Sequence, residues 1–272
     1  MLKRFLPLGL AMLLSACGGG TSIEPNISQI KAQTLQYGRA AVIYVAGQDL
    51  RNTMTADTGS CLDPLFRSDS TPQLAILTCK VTVTGPLPVS IRSASGDLLY
   101  TVTLTVPPPQ VTLLVPQGTV VMELYPDVAP ITVNNFLGYM ARGYYKDTLF
   151  HRVIAGFVAQ GGGYTTGLVK KEGQLAPIAL ESNKGLSNVR GSVAMARTSA
   201  PDSATSEFFV NLVDNAFLDY QNAANPGYAV FGKVVQGMDV VDAIAAVPTN
   251  SVNGVDNVPT TEVPISLMFQ TK

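Results

Sequence analysis

The apolar residues follow two different periods along the chain. Between about residues 32 and 106, short β-branched runs alternate apolar and polar positions, as in AAVIYVAG, KVTVTG, PVSIRS and LLYTVTLTV. Gly, Pro, Asp and Asn turns separate these runs, which is typical of antiparallel strands. The pattern therefore predicts a small β-sandwich over 32–106. Pro107 to Pro109 cannot lie inside a sheet, so residues 107–110 are predicted to form a stiff linker.

A second unit is predicted over residues 111–272. The strand-like TVVMELY leads into PDVAPITVNNFLGYMARGYY, where Pro130 suits the first helical position and Gly143 can end the helix. A second helix is predicted at GMDVVDAIAAVP, before Pro248. Strands fill the sequence around these helices. The predicted fold class is all-β dominated, with the small sandwich followed by a closed antiparallel β-barrel that two helices cap.

The first 16 residues have the features of a secretory signal peptide. Lys3 and Arg4 precede an apolar run from Phe5 to Leu14, and small residues follow it. This run is about half as long as the ~20 residues of a membrane-spanning helix, so no such helix is predicted here. The segment ends in LSAC, which resembles the lipobox of bacterial lipoproteins and makes Cys17 the candidate lipid acceptor. The alternative is an ordinary secreted protein in which Cys17 has no such role.

The residues after this cysteine predict a flexible tether over 17–31. GGGTSIEPNISQ is rich in Gly, Ser, Thr and Asn and has no apolar periodicity. Gly18 is not the aspartate associated with inner-membrane retention, so the resemblance to lipoproteins implies the outer membrane. We expect an extracytoplasmic protein that faces the periplasm and touches the membrane only through its lipid anchor.

Cys61 and Cys79 remain once Cys17 is assigned to the lipid, and an even pair in an oxidising compartment predicts a disulfide. Two buried free thiols are the alternative. AVIYVAGQDL, followed by this pair, resembles the immunoglobulin-like modules of bacterial surface proteins. A formal net charge of -1 and the absence of a Lys/Arg run argue against a nucleic-acid partner.

Four sequence blocks of the second unit occur in the order FHRVIAGFVAQGGG, GSVAMARTSAPDSATSEFFVNL, NAFLD and GYAVFGKVVQGMDVVDAI. Together they resemble the cyclophilin-type peptidyl-prolyl cis-trans isomerases, most closely the bacterial periplasmic members. The resemblance implies a cyclophilin-like fold for 111–272, isomerisation of X-Pro bonds, no cofactor and no metal. It also implies that the partners are proline-containing peptides and unfolded or folding envelope proteins. We expect a monomer.

Isomerisation of an X-Pro bond breaks no covalent bond, because the barrier is the partial double-bond character of the amide. A catalyst has to stabilise the twisted amide more than the planar one. Arg152 matches the catalytic arginine of the family, and a guanidinium is always cationic and offers several donors in a rigid fork. No proton is transferred, so His151, the only histidine, is interpreted as a hydrogen-bonded structural residue.

The resemblance also implies roles for the residues around this arginine. Phe157 and Val158 would lie beside the proline ring, and Gln160 would orient the guanidinium. The other predicted substrate-binding residues are Arg197 and Thr198, through their backbone groups, and Glu207, Phe209, Phe217, Leu218 and Tyr228. Core packing is the alternative for the apolar members of this set. Glu207 replaces the glutamine of close relatives, and it either faces the groove or turns to solvent.

The triple glycine Gly161 to Gly163 lacks the Lys-Ser/Thr that follows a phosphate-binding loop, so we interpret it as a tight turn beside the peptide groove. Two other functions stay open at this point. The second unit could grip proline segments with little turnover, as a chaperone-like surface module. Alternatively, the first unit could dock envelope polymers or proteins. The combination of Arg152 with Phe157, Gln160 and Phe209 favours the enzyme.

Overall fold

The computed structural model describes residues 24–50 and 53–272. The predicted signal peptide, the predicted lipid acceptor Cys17 and the start of the predicted tether lie outside the described residues. In the first unit the described residues form the strands β1 (Asn26–Thr34), β2 (Ala40–Gln48), β3 (Thr55–Asp57), β4 (Cys61–Phe66), β5 (Leu74–Val81), β6 (Gly85–Arg92) and β7 (Leu98–Val106).

These strands form two antiparallel sheets, ordered β1-β2-β5-β4 and β3-β6-β7. Alternate side chains of both sheets are buried in one cluster, which includes Ile43 of β2 and Leu87 of β6, each 0% exposed. The predicted disulfide is present between Cys61 and Cys79 and joins β4 to β5. The immunoglobulin-like assignment of this unit stays a prediction.

Two predictions for this unit were wrong: the tether does not extend to residue 31, and KVTVTG is not one strand. β1 begins at Asn26, so residues 26–31 belong to the first sheet and not to a tether. Its buried residues Ile27 and Ile30 are three apart, because the register shifts between Ile27 and Gln29, and this irregular spacing hides the strand from a search for strict alternation. The run KVTVTG is divided between two strands, since β5 ends at Val81 and β6 begins at Gly85.

The second unit follows directly after the three prolines. Its elements are β8 (Gln110–Val115), β9 (Gly118–Leu124), α1 (Pro130–Ala141), β10 (Arg152–Ile154), β11 (Val158–Gly161), β12 (Tyr164–Thr165), β13 (Val169–Lys170), β14 (Ser192–Met195), β15 (Phe208–Asn211), β16 (Val230–Gln236), α2 (Met238–Ala245), β17 (Thr249–Val252), β18 (Val255–Pro259) and β19 (Leu267–Gln270). Short 3-10 turns lie at Thr166–Leu168 and Ala216–Leu218.

Eight of these strands form one sheet in the order β10-β11-β15-β14-β16-β9-β8-β19. The prediction of a closed barrel was wrong, because the edge strands β10 and β19 are not paired with each other. Residues 147–150 and 263–265 lie between these two edge strands. They make backbone hydrogen bonds to each other at Phe150 and Ile265, and an isolated bridge joins Leu149 to Pro264. Proline has no N–H, so a regular ladder cannot continue through Pro264. The result is an open half-barrel.

Both predicted helices are confirmed. Pro130 is at the start of α1, and the helix ends two residues before Gly143, whose φ of 68° lies in the left-handed region. α2 buries Val241 and Ile244. No helix among the described residues of either unit is long and apolar enough to cross a membrane.

The main core lies on the concave inner face of the half-barrel, where α1 covers it. Phe136 of α1 is fully buried, and its ring centroid lies 5.0 Å from Tyr145, 5.5 Å from Phe208 and 5.1 Å from Phe231. Since Phe208 and Phe231 belong to β15 and β16, this aromatic contact fixes the helix against the middle of the sheet. The opposite face of the same strands is left free for the candidate site.

The two units contact each other through the turn after β1. Tyr37 is 4% exposed and packs in the main core of the second unit, and its hydroxyl donates to Asn134 Oδ1 of α1 at 3.1 Å. From the last strand, Gln270 Nε2 donates to the Tyr37 carbonyl at 3.1 Å, and Arg39 Nε donates to Gln270 Oε1 at 3.3 Å. A buried aromatic side chain of the first unit therefore contacts the core of the second unit.

Candidate active site

Strand pairing places one row of side chains across the outer face of the half-barrel. Arg152 of β10 lies opposite Gln160 of β11, Gln160 opposite Phe209 of β15, and Phe209 opposite Ala194 of β14. Their neighbours Val153, Ala159, Phe208 and Val193 pack in the main core on the other face. Because successive side chains of a strand point to opposite faces, the row must face outward. The pairing of β10 with β11 places Gln160 beside Arg152.

The turn between β10 and β11 brings the two strands into this register. Gly156 has a φ of 71°, which glycine adopts without cost, and Phe157 N–H donates to the Ile154 carbonyl at 3.0 Å. Arg152 Nη1 then donates to Gln160 Oε1 at 3.2 Å. The guanidinium is half-buried and held by a neighbouring amide, so it is positioned before any peptide binds.

The predicted apolar residues form a cluster of their own, which we call the outer pocket: Phe157, Val158, Phe209, Leu218 and Tyr228, together with Ala194 and Val230. This cluster is separate from the main core. The structure therefore brings the predicted pocket residues together on the face that carries Arg152. Phe217 is different, because it is 65% exposed and stacks on Phe157 at the edge of the pocket, with ring centroids 5.7 Å apart.

Arg197 and Thr198 lie beside the outer pocket at the end of β14. The Arg197 guanidinium covers the Tyr228 ring, with Cζ 4.7 Å from the centroid, and Nε donates to the Gly227 carbonyl at 2.9 Å. The Thr198 N–H and hydroxyl both bond to Ser203 Oγ. These contacts hold the loop after β14, and the Arg197 side chain forms a wall of the site.

Glu207 is partly buried, with 22% of its side chain exposed, and within the described residues it pairs with no arginine directly. Its Oε2 accepts a hydrogen bond from Gln160 Nε2 at 2.9 Å and lies 3.3 Å from His151 Nε2. Burial by itself raises the pKa of the Glu207 carboxyl, but the hydrogen bonds from His151 and Gln160 and the positive charges of His151 and Lys170 outweigh it, so the pKa lies below its ordinary value. The group is thus an anion behind the Arg152–Gln160 pair.

Two further residues near the site were not predicted from the sequence. Asn215 Nδ2 donates to the Phe157 carbonyl at 3.0 Å and to Asn211 Oδ1 at 2.8 Å, which fixes the turn that carries Phe157. Lys170 lines a polar cavity of about 220 Å³ together with Gln160 and Glu207. Asn215 begins the NAFLD block, but the block did not assign it a role, and Lys170 in a two-residue strand has no distinctive sequence pattern, so the fold identifies their contacts.

The site thus combines a fixed cation with an apolar pocket on the outer face of the half-barrel. The chain belongs to the cyclophilin-type peptidyl-prolyl cis-trans isomerases. The sequence model described as "Cyclophilin type peptidyl-prolyl cis-trans isomerase/CLD" matches residues 110–268. Enzymes of this kind act on proline-containing peptides and proteins.

Known bacterial proteins support this membership. The chain is 51% identical to a peptidyl-prolyl cis-trans isomerase of Acinetobacter baylyi over 148 aligned residues. This alignment covers 54% of this chain and 78% of that protein. The chain is 49% identical over 148 residues to peptidyl-prolyl cis-trans isomerase B of Escherichia coli, covering 54% and 90%. A Cryptosporidium parvum cyclophilin, solved in the presence of the dipeptide Ala-Pro, superimposes with a TM-score of 0.51 at 27% identity, over 60% of this chain and 99% of that one.

Proposed function

We propose that this isomerase acts on X-Pro bonds of extracytoplasmic proteins during their folding, with Arg152 as the catalytic residue. The observation that carries the proposal is the outward row in which Arg152 and Gln160 lie next to Phe209 of the outer pocket. A proline ring in that pocket brings the preceding amide close to the guanidinium. The outer pocket binds the proline ring, and the Arg152 cation stabilises the twisted amide more than the planar amide.

The chemistry follows from the electronic structure of the amide. In the planar state the nitrogen lone pair is delocalised into the carbonyl, and in the twisted state it is localised on nitrogen and accepts a hydrogen bond. A guanidinium donor aimed at that nitrogen therefore stabilises the transition state more than the ground state, which is the condition for catalysis. Because Gln160 already holds the guanidinium, little reorganisation is needed when the bond twists.

Substitution of Arg152 tests this role. We expect Arg152→Ala to lower kcat/KM on a proline peptide by about 100-fold or more, as loss of a positioned transition-state donor does in other enzymes. Arg152→Lys should restore little, because an ammonium lacks the planar fork. Arg142→Ala, at an exposed position after α1, is the matched control and should keep wild-type activity.

Arg152→Ala should still fold, since the side chain lies outside the main core. Equal turnover by Arg152→Ala and wild type would remove the proposed mechanism. Peptide binding by a wild-type protein that shows no turnover in an NMR exchange experiment would instead support the alternative of a proline-binding module. The two outcomes are distinguishable because the first is a comparison of variants and the second a property of the wild type.

We further propose that Cys17 carries a lipid and holds the enzyme to the outer membrane, facing the periplasm. The support is the sequence LSAC after a charged and apolar segment, and the Cys61–Cys79 disulfide, which is the kind of bond that persists in an oxidising compartment. Cys17→Ser should move the protein from the detergent phase to the aqueous phase. Equal partitioning of the two proteins would contradict the anchor.

A further inference from the structure

Three buried asparagines lie at the floor of the outer pocket. Asn211 lies two residues after Phe209 on β15, directly opposite Val158 of β11, and both of these neighbours are pocket residues. The Asn211 side chain is nevertheless 0% exposed, and Asn188 and Asn215 beside it are 1% and 2% exposed. Amides buried beneath an apolar pocket have to be held by hydrogen bonds, because an unpaired buried amide is costly.

The hydrogen bonds of these three amides form one connected chain. Asn188 Nδ2 donates to Asp219 Oδ1 at 2.9 Å, and Asn211 Nδ2 donates to Asn188 Oδ1 at 3.2 Å. Asn215 Nδ2 donates to Asn211 Oδ1 at 2.8 Å and to the Phe157 carbonyl at 3.0 Å. A carboxylate and a backbone carbonyl can only accept, so these two ends of the chain leave each amide one orientation.

Asn215 connects two walls of the outer pocket. Phe157, in the turn between β10 and β11, forms one wall, and its carbonyl accepts from Asn215 Nδ2 and from the Leu212 N–H, the latter at 2.9 Å. Leu218 forms the other wall, and its N–H donates to the Asn215 carbonyl at 2.8 Å. The two walls belong to segments that are distant in sequence, so a residue bonded to both fixes their separation.

Asn188 holds the 3-10 turn that carries Leu218 at both of its ends. Before the turn, the Asn215 N–H donates to the Asn188 carbonyl at 2.8 Å. After the turn, Asp219 Oδ1 accepts from the Asn188 N–H at 2.6 Å. Asn211 is bonded to the side chains of both Asn188 and Asn215, so it joins this turn to the turn between β10 and β11.

We propose that Asn211 is a positioning residue of the isomerase, which holds the outer pocket in place relative to Arg152 through Asn215. The inference rests on the proposed catalytic role of Arg152. Phe157 lies in the turn that joins the strand of Arg152 to the strand of Gln160, so a shift of this turn changes the distance from the proline ring to the guanidinium. A misplacement of about 1 Å can lower a rate by about 100-fold. Binding of the ring changes less, because hydrophobic contact is non-directional.

A double-mutant cycle with Arg152→Ala tests the inference in the full chain. Asn211→Ala should lower kcat on a proline peptide by about tenfold in the wild-type background, with KM changed by less than about threefold. In the Arg152→Ala background the same substitution should change kcat/KM by less than about twofold, because no guanidinium is left to align. A merely structural loss would instead lower the activity of both backgrounds by the same factor.

Thr132→Val is the matched control. Thr132 is 1% exposed, lies in the first turn of α1 and donates its hydroxyl to Glu181 Oε2 at 2.7 Å. Its substitution removes a buried hydrogen bond far from the chain of amides. The variant should be less stable than wild type in denaturant unfolding, yet its kcat should equal that of wild type at a temperature at which both are folded.

Equal factors in the two backgrounds would overturn the inference, and so would an unchanged kcat in Asn211→Ala. If Asn211→Ala does not fold, Asn215→Ala is carried through the same cycle, since the Phe157 carbonyl keeps its hydrogen bond from Leu212 in that variant. The proposed function is judged separately, because the comparison of Arg152→Ala with wild type decides it alone.

Discussion

Replacement of Gly163 by alanine should disturb the site through a single side chain. A Cβ at Gly163 would lie 2.5 Å from Glu207 Cγ, 2.5 Å from Oε1 and 2.6 Å from Cδ, and these are its three nearest atoms. Such distances are far below van der Waals contact, so Glu207 must move away from Gln160 and His151. The absence of a side chain at Gly163 therefore leaves the space that the Glu207 carboxylate occupies.

The expected change in the free energy of unfolding follows from two opposing effects. Gly163→Ala introduces no positive φ strain, because only Gly162 of the triple has a φ in the left-handed region, at 88°. Alanine also restricts the unfolded chain, which favours the folded state by about 0.4–1 kcal/mol. Against this, displaced Glu207 loses hydrogen bonds that contribute about 1.5–3 kcal/mol each when a charged group is involved, although water replaces part of them. We expect a net loss of about 1–2 kcal/mol.

A double-mutant cycle measured by denaturant unfolding isolates this mechanism. In a Glu207→Ala background the clashing atoms are absent, so Gly163→Ala should become stabilising by about 0.5 kcal/mol. Gly161→Ala is the matched control: its Cβ would lie 2.8 Å from the Leu149 carbonyl oxygen, a backbone atom that cannot swing away, and it should destabilise both backgrounds equally. The same loss for Gly163→Ala in both backgrounds would refute the reasoning.

Three other outcomes are expected. Tyr37→Ala should lower the free energy of unfolding of the full chain by about 3–5 kcal/mol, since the ring is buried. Tyr37→Phe should lower it by about 1 kcal/mol, since the hydroxyl makes one hydrogen bond. Equal effects of the two variants in denaturant unfolding would contradict the contact between the units. Reduction of Cys61–Cys79, which are 18 residues apart, should cost about 3 kcal/mol, read from denaturation with and without reductant. The depressed pKa of Glu207 favours the folded state above the ordinary carboxyl pKa, so the stability advantage of wild type over Glu207→Gln should shrink as the pH falls through the lower folded pKa.

Local pattern and matched motifs predicted the parts of the fold that depend on short-range order. The helix α1 was predicted because Pro130 begins it and the apolar spacing continues over the following turns, and the structure has it at Pro130–Ala141. The family resemblance placed Gln160 beside Arg152, and the structure pairs the two across a turn within only nine residues, Arg152 to Gln160. Both depend on the chain near each residue and not on distant contacts.

Openness of the half-barrel could not be predicted in the same way. Whether β10 pairs with β19 depends on residues 147–150 and 263–265, which are more than a hundred positions apart in sequence and meet only in the folded protein. The direction of the Glu207 side chain has the same origin. Glu207 immediately precedes β15, so strand phase alone leaves its side chain free to turn either way, and its orientation depends on the space at Gly163 and on the donors of Gln160 and His151.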